Sequence, residues 1–319
     1  MNDLLLARAR AAGGLFTATD ALACGYDRPG LSRLVSTGRV IRIGCGAYAA
    51  GDTYSAASPD RRHRMATIAA LRRFPARVAA SHYSALTLWG LPVWRAPLSR
   101  IHLARTVAGP GRRSAGVTVH RGWARAADPS ASSSNAYDYV DGALCVRPAL
   151  AVLGTAMICG VEAGVVAADA ALAADLISGR DLQIWLERIP HHPSVRAARL
   201  AVDLADERSE SPGESRARLV LGSLDLGTPR CQVEIRTEDG FLIGRVDFLY
   251  EQQRTVVEFD GLVKYGGAEG RQVLVAEKRR EDLLRDLGYE VVRVTWAELD
   301  RPLILRQRLL AAFGRNVRA

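Results

Sequence analysis

Arg245-Val246-Asp247-Phe248 and, shortly after it, Val257-Glu258-Phe259-Asp260-Gly261 set carboxylates into stretches that are otherwise apolar. A charged residue inside a run such as Val256-Val257-Glu258-Phe259 needs a reason to be there, and a bound cation supplies one. The chain has 43 Lys and Arg residues, and only Lys264 and Lys278 are lysine; both follow these carboxylates. Arginine replaces lysine where charge alone matters, but it does not replace a compact ammonium that must approach a phosphate or a metal-bound water. The pattern points to a metal site of the kind that hydrolyses phosphodiesters. The alternative is two surface lysines that persist by chance.

The neighbouring sequence predicts a helix over 214–226 and strands over 232–237, 241–250 and 255–260, with Glu238-Asp239-Gly240 as a hairpin turn. A helix over 269–287 ends at Gly288, a strand over 291–294 follows, and a last helix begins near Ala297. Phosphodiester hydrolysis needs a hard cation, Mg²⁺ or Mn²⁺, held by carboxylates, and a water activated on it. Asp247 and Glu258 near the ends of adjacent strands are the first candidates for metal ligands and catalysis. Asp260 lies two residues from Glu258 and shares its face. Glu214 on the preceding helix completes the set. Lys278 is the candidate for electrostatic catalysis and Lys264 for a phosphate or water contact. The run Glu277-Lys278-Arg279-Arg280-Glu281-Asp282 also reads as an amphipathic helix with salt-bridged turns.

The order α-β-β-β-α-β resembles the core of the PD-(D/E)xK nuclease superfamily. The last hundred residues are similar to very-short-patch-repair-like endonucleases through Arg245-Val246-Asp247-Phe248, Glu258-Phe259-Asp260-Gly261, Arg293 and Trp296. This chain departs from the usual acid-x-Lys motif, because Asp260 stands in the lysine place.

The first fifty residues predict helix, helix, turn, helix and hairpin. Residues 3–11 form a helix, Thr17-Ala18-Thr19-Asp20 a capping box, and Gly25 ends the helix so opened. Asp27 caps a third helix, with Pro29 near its start and Gly38 past its end. Val40 to Ile43 and Ala47 to Ala49 are two short strands around glycines. This is a winged helix-turn-helix whose third helix presents Arg28 and Arg33, and whose wing presents Arg39 and Arg42, as candidate DNA contacts. The bland reading is a helical interaction module with a solvated basic face.

The middle is less informative. Helices are predicted over 61–74 and 80–90, strands over 100–103 and 117–120, and a basic loop at Gly109-Pro110-Gly111-Arg112-Arg113. His63, His82, His102 and His120 read as isolated histidines, His82 beside a helix cap, and His191-His192 alone is weak grounds for a metal. Asp128 to Asn135 is a Ser-rich loop, followed by alanine-rich helices up to about 206. A net charge of +9 and pI near 9.7 favour a polyanionic partner. Five scattered cysteines without metal spacing fit a reducing cytoplasm. No secretory or membrane-spanning segment is expected.

Gly13-Gly14-Leu15-Phe16-Thr17-Ala18, Gly46-Ala47-Tyr48 and Ala80-Ser81-His82-Tyr83-Ser84-Ala85-Leu86 resemble AbiEi-type proteins, the antitoxins of type IV toxin–antitoxin systems. That resemblance covers roughly residues 1–125 and implies a winged-helix repressor of its own operon, with a toxin or operon partner. The expected fold class is a multidomain α+β chain: a winged helix-turn-helix (1–52), an AbiEi-like α/β domain (53–127), a helical connector (136–208) and a PD-(D/E)xK nuclease-like domain (211–319). Two functions compete: a DNA endonuclease of prokaryotic defence, and an antitoxin or repressor with an inert nuclease-like domain. DNA is the partner in either case, and a homodimer remains open.

Overall fold

Local capping builds the N-terminal elements. The structure is a computed structural model that describes residues 1–44, 46–74, 76–123, 136–190, 192, 194–261 and 267–316, without the side chains of 267–275 and 316. Lys264, Cys45, His191 and the Ser-rich stretch 128–135 therefore lie outside the described residues. The chain divides into two units, Met1–Ala171 with Asp175–Asp203, and Leu204–Ala319 with Leu172–Ala174.

In the first unit, the Asn2 side chain accepts the Leu5 amide at 3.0 Å and starts α1 (Asp3–Ala11). Thr17 and Asp20 form the reciprocal capping box of α2 (Ala18–Ala23), and Asp27 accepts from Gly30 at 2.7 Å to start α3 (Arg28–Ser36). Leu15–Thr17 (β1) was not anticipated, being too short to show a period. It pairs with β3 (Ala47–Ala50), which pairs with β2 (Val40–Gly44), in the order β1-β3-β2. Leu5, Phe16, Ala21, Leu31, Leu34 and Val40 pack beneath these elements.

Next come α4 (Gly51–Ala56), α5 (Pro59–Leu71), β4 (Val78–Ala80), α6 (His82–Trp89), β5 (Ile101–Arg105), β6 (Arg112–Ser114), β7 (Val117–His120), β8 (Tyr137–Val140) and β9 (Ala143–Val146). The strands form one sheet in the order β6-β7-β5-β4-β9-β8. Two expectations are corrected. The helix expected from Ala80 begins at His82, because Val78–Ala80 is a buried strand. The stretch from 136, expected as helical, opens with the β8–β9 hairpin, and β9 lies parallel to β4 through Ala80 and Cys145. Its signal was present in Asp141-Gly142: both residues have positive φ, as a two-residue hairpin turn requires. Helices α7 (Pro148–Cys159), α8 (Val161–Ala173), α9 (Gly179–Arg188) and α10 (Val195–Asp203) follow. Among the described residues no helix is long and apolar enough to cross a membrane.

The second unit runs α11 (Pro212–Gly222), β10 (Arg230–Arg236), β11 (Leu242–Tyr250), β12 (Thr255–Asp260), α12 (Gly267–Asp286), β13 (Glu290–Thr295), α13 (Trp296–Leu299) and α14 (Pro302–Asn316). The sheet order is β10-β11-β12-β13; the first two pairings are antiparallel, and β12 and β13 are parallel across α12. The last helix is split at Arg301-Pro302, where proline starts a new one. Ala217, Phe248, Tyr250, Val257, Val292, Leu305 and Leu309 form the core with α11, α13 and α14. Val246, Leu249, Val256 and Leu284 form a second core with α12.

Gly213 sets the approach of α11 to β12. A Cβ at this position would lie 1.9 Å from the Phe259 ring, and that ring is packed edge-on to Trp296 with centroids 4.8 Å apart. Gly213→Ala should destabilise the second unit by about 1–3 kcal/mol, the range for overpacking. Gly222→Ala, where the space is open, should change stability by less than about 0.5 kcal/mol. Thermal unfolding of both variants checks this; equal melting temperatures would refute the close approach.

Candidate functional site

Helix α3 buries Leu31 and Leu34, so Arg28, Ser32, Arg33 and Ser36 face solvent. Arg39 and Arg42 are exposed beside buried Val40 at the wing. Among the described residues no carboxylate pairs with Arg28, Arg33, Arg39 or Arg42. Arg42 donates only to the Gly44 carbonyl at 3.4 Å. Arg8 on α1 differs: Asp20 holds it at 3.0 Å. Among the described residues, α3 and the wing thus present four exposed cations with no carboxylate partner, a charge pattern of the kind that suits a phosphate backbone.

In the second unit the β11–β12 ladder ends at Phe248 and Val257. One residue further, the Asp247 carboxylate accepts the Phe259 amide at 2.8 Å. The alternation of β11 slips there: Val246 joins the core under α12, whereas Phe248 faces the opposite core. On the other side, Gln232 holds a left-handed φ of 53°, and its neighbours Cys231 and Val233 pair with Phe248 and Val246. The Gln232 amide donates to Glu214 at 2.8 Å. Glu214 also accepts from the Glu210 amide at 3.0 Å and the Ser211 hydroxyl at 2.7 Å. Irregular backbone on two adjacent strands therefore turns Asp247 and Gln232 toward Glu214.

The electrostatics are those of crowded carboxylates. Burial pushes the Asp247 carboxyl up, and the charge of Glu258 adds to this. Burial likewise pushes Glu214 up, and Asp247 and Glu210 add to it. Glu258 is met by Arg280 of α12 at 2.6 Å, and Arg280 also donates to the Arg245 carbonyl at 3.0 Å. Asp260 lies half-buried at the end of β12, in register with Thr295. Of the two candidate lysines, Lys264 is outside the described residues, and Lys278 is exposed. The inward face of α12 carries Glu277, Arg280, Glu281 and Leu284. Glu281 pairs with Arg293 at 3.1 Å. The cation that reaches Glu258 is thus Arg280, hidden in the sequence by a run, 277–282, in which every residue is charged.

Sequence reading also missed a histidine assembly in the first unit. His63 and Ser84 are joined at 2.8 Å, but both are buried, and the pair closes on itself. Ser84 accepts the His102 amide at 2.9 Å, and His63 meets the Leu98 carbonyl at 2.7 Å. That is a structural pair rather than a nucleophile and base. His82, His102 and His120 offer ring nitrogens that all lie within 4.8 Å of one another. Among the described residues this is the group of three such side chains that converges; the carboxylates of the second unit do not form such a set. A usable signal was that all six histidines fall between positions 63 and 192.

Comparison with known proteins adds an assignment at one end. Residues 3–51 match a family described as "Transcriptional regulator, AbiEi antitoxin". The chain is also similar to two uncharacterized proteins of Mycobacterium tuberculosis, MT2308 of strain CDC 1551 and Rv2248 of strain H37Rv. Each is 26% identical over 162 residues, which is 51% of this chain. The chain spans 58% of the length of these curated relatives.

The Glu258–Arg280 pair is half-buried. Arg280→Ala strips Glu258 of its charged partner and should destabilise the second unit by about 1–3 kcal/mol, the scale of hydrogen bonds to charged groups. Lys278→Ala, at an exposed position, should stay within about 0.5 kcal/mol. Urea unfolding distinguishes them, and equal midpoints would remove Arg280 from the site.

Proposed function

We propose that the chain is a DNA-binding transcriptional regulator of the AbiEi antitoxin type, which reads duplex DNA with α3 and its wing. The observation that carries this is a coincidence: the residues matching the antitoxin family, 3–51, are those of the winged helix with four uncompensated exposed cations. Helix α3 suits the major groove, and Arg39 and Arg42 suit the flanking phosphates. A toxin partner from the same operon belongs to this reading.

A second reading is favoured by the slipped alternation at Asp247 and the strained Gln232 opposite it. Backbone strain of this kind collects at functional sites. On this reading the second unit is a PD-(D/E)xK-like nuclease acting on DNA held by the first. Asp247 and Glu258, with Glu214 and Asp260, are hard oxygen donors of the kind Mg²⁺ or Mn²⁺ takes; they would hold it once Arg280 releases Glu258 and the carboxylates draw together. Such an ion would supply Lewis acidity and an activated water. Arg280, and Lys278 or Lys264, would stabilise negative charge on the phosphate.

For the regulator, Arg33→Ala with Arg42→Ala should lower the slope of log affinity against log salt by about 1.8, at about 0.9 per phosphate contact. Fluorescence anisotropy on duplex DNA from the chain's own upstream region measures it; an unchanged slope would move the interface elsewhere. For the nuclease, Mn²⁺-dependent cleavage by the wild type should vanish in Asp247→Ala, with DNA affinity intact. A wild type that binds DNA and leaves it uncut leaves the regulator alone standing.

A further inference from the structure

The three converging histidines come from three neighbouring strands. In the sheet order β7-β5-β4, His120 ends β7, His102 lies on β5, and His82 follows the end of β4. Strands β5 and β7 are parallel, with Ala104 opposite His120 and His102 opposite Thr118. His102 and His120 are therefore one diagonal step apart on the same face. Ser81, at the end of β4, donates its amide to the His102 carbonyl at 3.0 Å, so His82 is held next to them. His82 itself carries a φ of 54°, a left-handed conformation that costs a side-chain-bearing residue about 1–3 kcal/mol. Its ring is stacked on His120 with centroids 3.9 Å apart. The ring fits because position 154 of α7 is glycine: a Cβ there would lie 3.0 Å from two of its atoms.

We propose that His82, His102 and His120 form a binding site for a transition-metal ion of the zinc class. Its open coordination position takes an anionic oxygen ligand from the arginine-lined cavity beside it.

The ring positions suit an ion. His102 Nδ1 and His120 Nε2 face each other at 2.8 Å, where an ion could replace the one proton they share. His82 Nδ1 is engaged by the Ser81 hydroxyl at 2.9 Å, which leaves Nε2 as its ligand atom. Ser81 Oγ also accepts the Trp123 indole N–H at 3.1 Å, the kind of outer hydrogen bond that fixes a ligand ring. Tetrahedral coordination at about 2.0–2.1 Å separates two ligand nitrogens by about 3.3 Å, so His102 and His120 need part by only about half an ångström. All three imidazoles are suited to be neutral ligands. Burial, with the neighbouring histidines, pushes His82 well down, and burial first pushes His102 to about 3 and His120 to about 4.

The cavity says what the remaining position would take. It is an open pocket of about 730 Å³, is lined by His82 and His120, and carries Arg112, Arg113, Arg121 and Arg188. Among the described residues, no carboxylate is among the groups that perturb the three rings. A dication among these arginines needs an anion to complete its shell. A phosphate ester or hydroxide has that charge and the hard oxygen to use it. This site belongs to the first unit and is independent of the carboxylates of the second.

The test is a Co²⁺ titration of the chelator-stripped full chain. We expect visible bands of nitrogen-coordinated cobalt that saturate at about one ion per chain, Zn²⁺ to abolish them, and phosphate to shift them. His102→Gln and His120→Gln should each remove the bands, and Asp247→Asn with Glu258→Gln should retain them. Ser81→Ala, a gentler change, should weaken affinity by about 10- to 100-fold. The proposal is overturned if the wild type gives no bands, or if the bands survive His120→Gln with an unchanged melting temperature. It is overturned equally if the bands follow the Asp247 variant. Should the glutamine variants fail to fold, an unchanged affinity in Ser81→Ala overturns it. Phosphate raising the melting temperature of metal-free protein that shows no cobalt bands would make the cavity a plain anion pocket.

Discussion

The hydrogen bond from the Phe259 amide to the Asp247 carboxylate governs the second unit. Where β11 stops pairing with β12, the backbone amide beyond the last ladder rung would be left without an acceptor, and a buried amide without one is costly. Asp247 accepts it with its side chain. That allows the strands to part, lets the alternation of β11 slip by one residue, and aims Glu258 toward α12, where Arg280 waits. The same side chain therefore stabilises the strand ends and raises the charge density beside them. Burial opposes the ionisation of Asp247, and the charge of the nearby Arg280 guanidinium offsets part of that cost.

The first unit meets the same constraint with different chemistry. Imidazoles can be buried neutral, and each offers one donor and one acceptor. The His63–Ser84–His102 chain satisfies itself and simply ties α5, α6 and β5 together. The His82–His102–His120 group does not close in this way: its three ring nitrogens converge within 4.8 Å of one another beside an arginine-lined cavity. Two histidine networks a few residues apart thus have opposite characters, and the geometry of their hydrogen bonds separates them where residue type cannot.

Much of the fold was legible in the sequence, for reasons that can be named. Thr17 with Asp20, Asp27 with Gly30 and the run Thr255–Asp260 are local signals, and they placed their elements to within a residue or two. Strand β1 was missed because three residues carry no period, and β8–β9 because its neighbours are rich in alanine. The carboxylates of the second unit were legible because charge in an apolar strand is anomalous by itself. Arg280 was not, since one arginine in a helix of many is distinguished only by what it touches. The histidines were missed for a deeper reason: their convergence depends on the parallel register of β5 and β7 and on His82 following the strand beside them. Tertiary pairing of that kind leaves no spacing in the chain.

The β8–β9 hairpin also orders events in time. The winged helix joins residues 3 to 50, with Met65 and Ala69 of α5 packed on its sheet, so its closure needs only short loops. The middle sheet cannot be completed until residue 146 arrives, because β9 lies against β4 across a long separation in sequence. At typical synthesis rates the gap between those two points is about 5–20 s. During that interval a nascent chain already displays the basic face of α3 and the wing, while the edge of β4 that β9 will cover is bare.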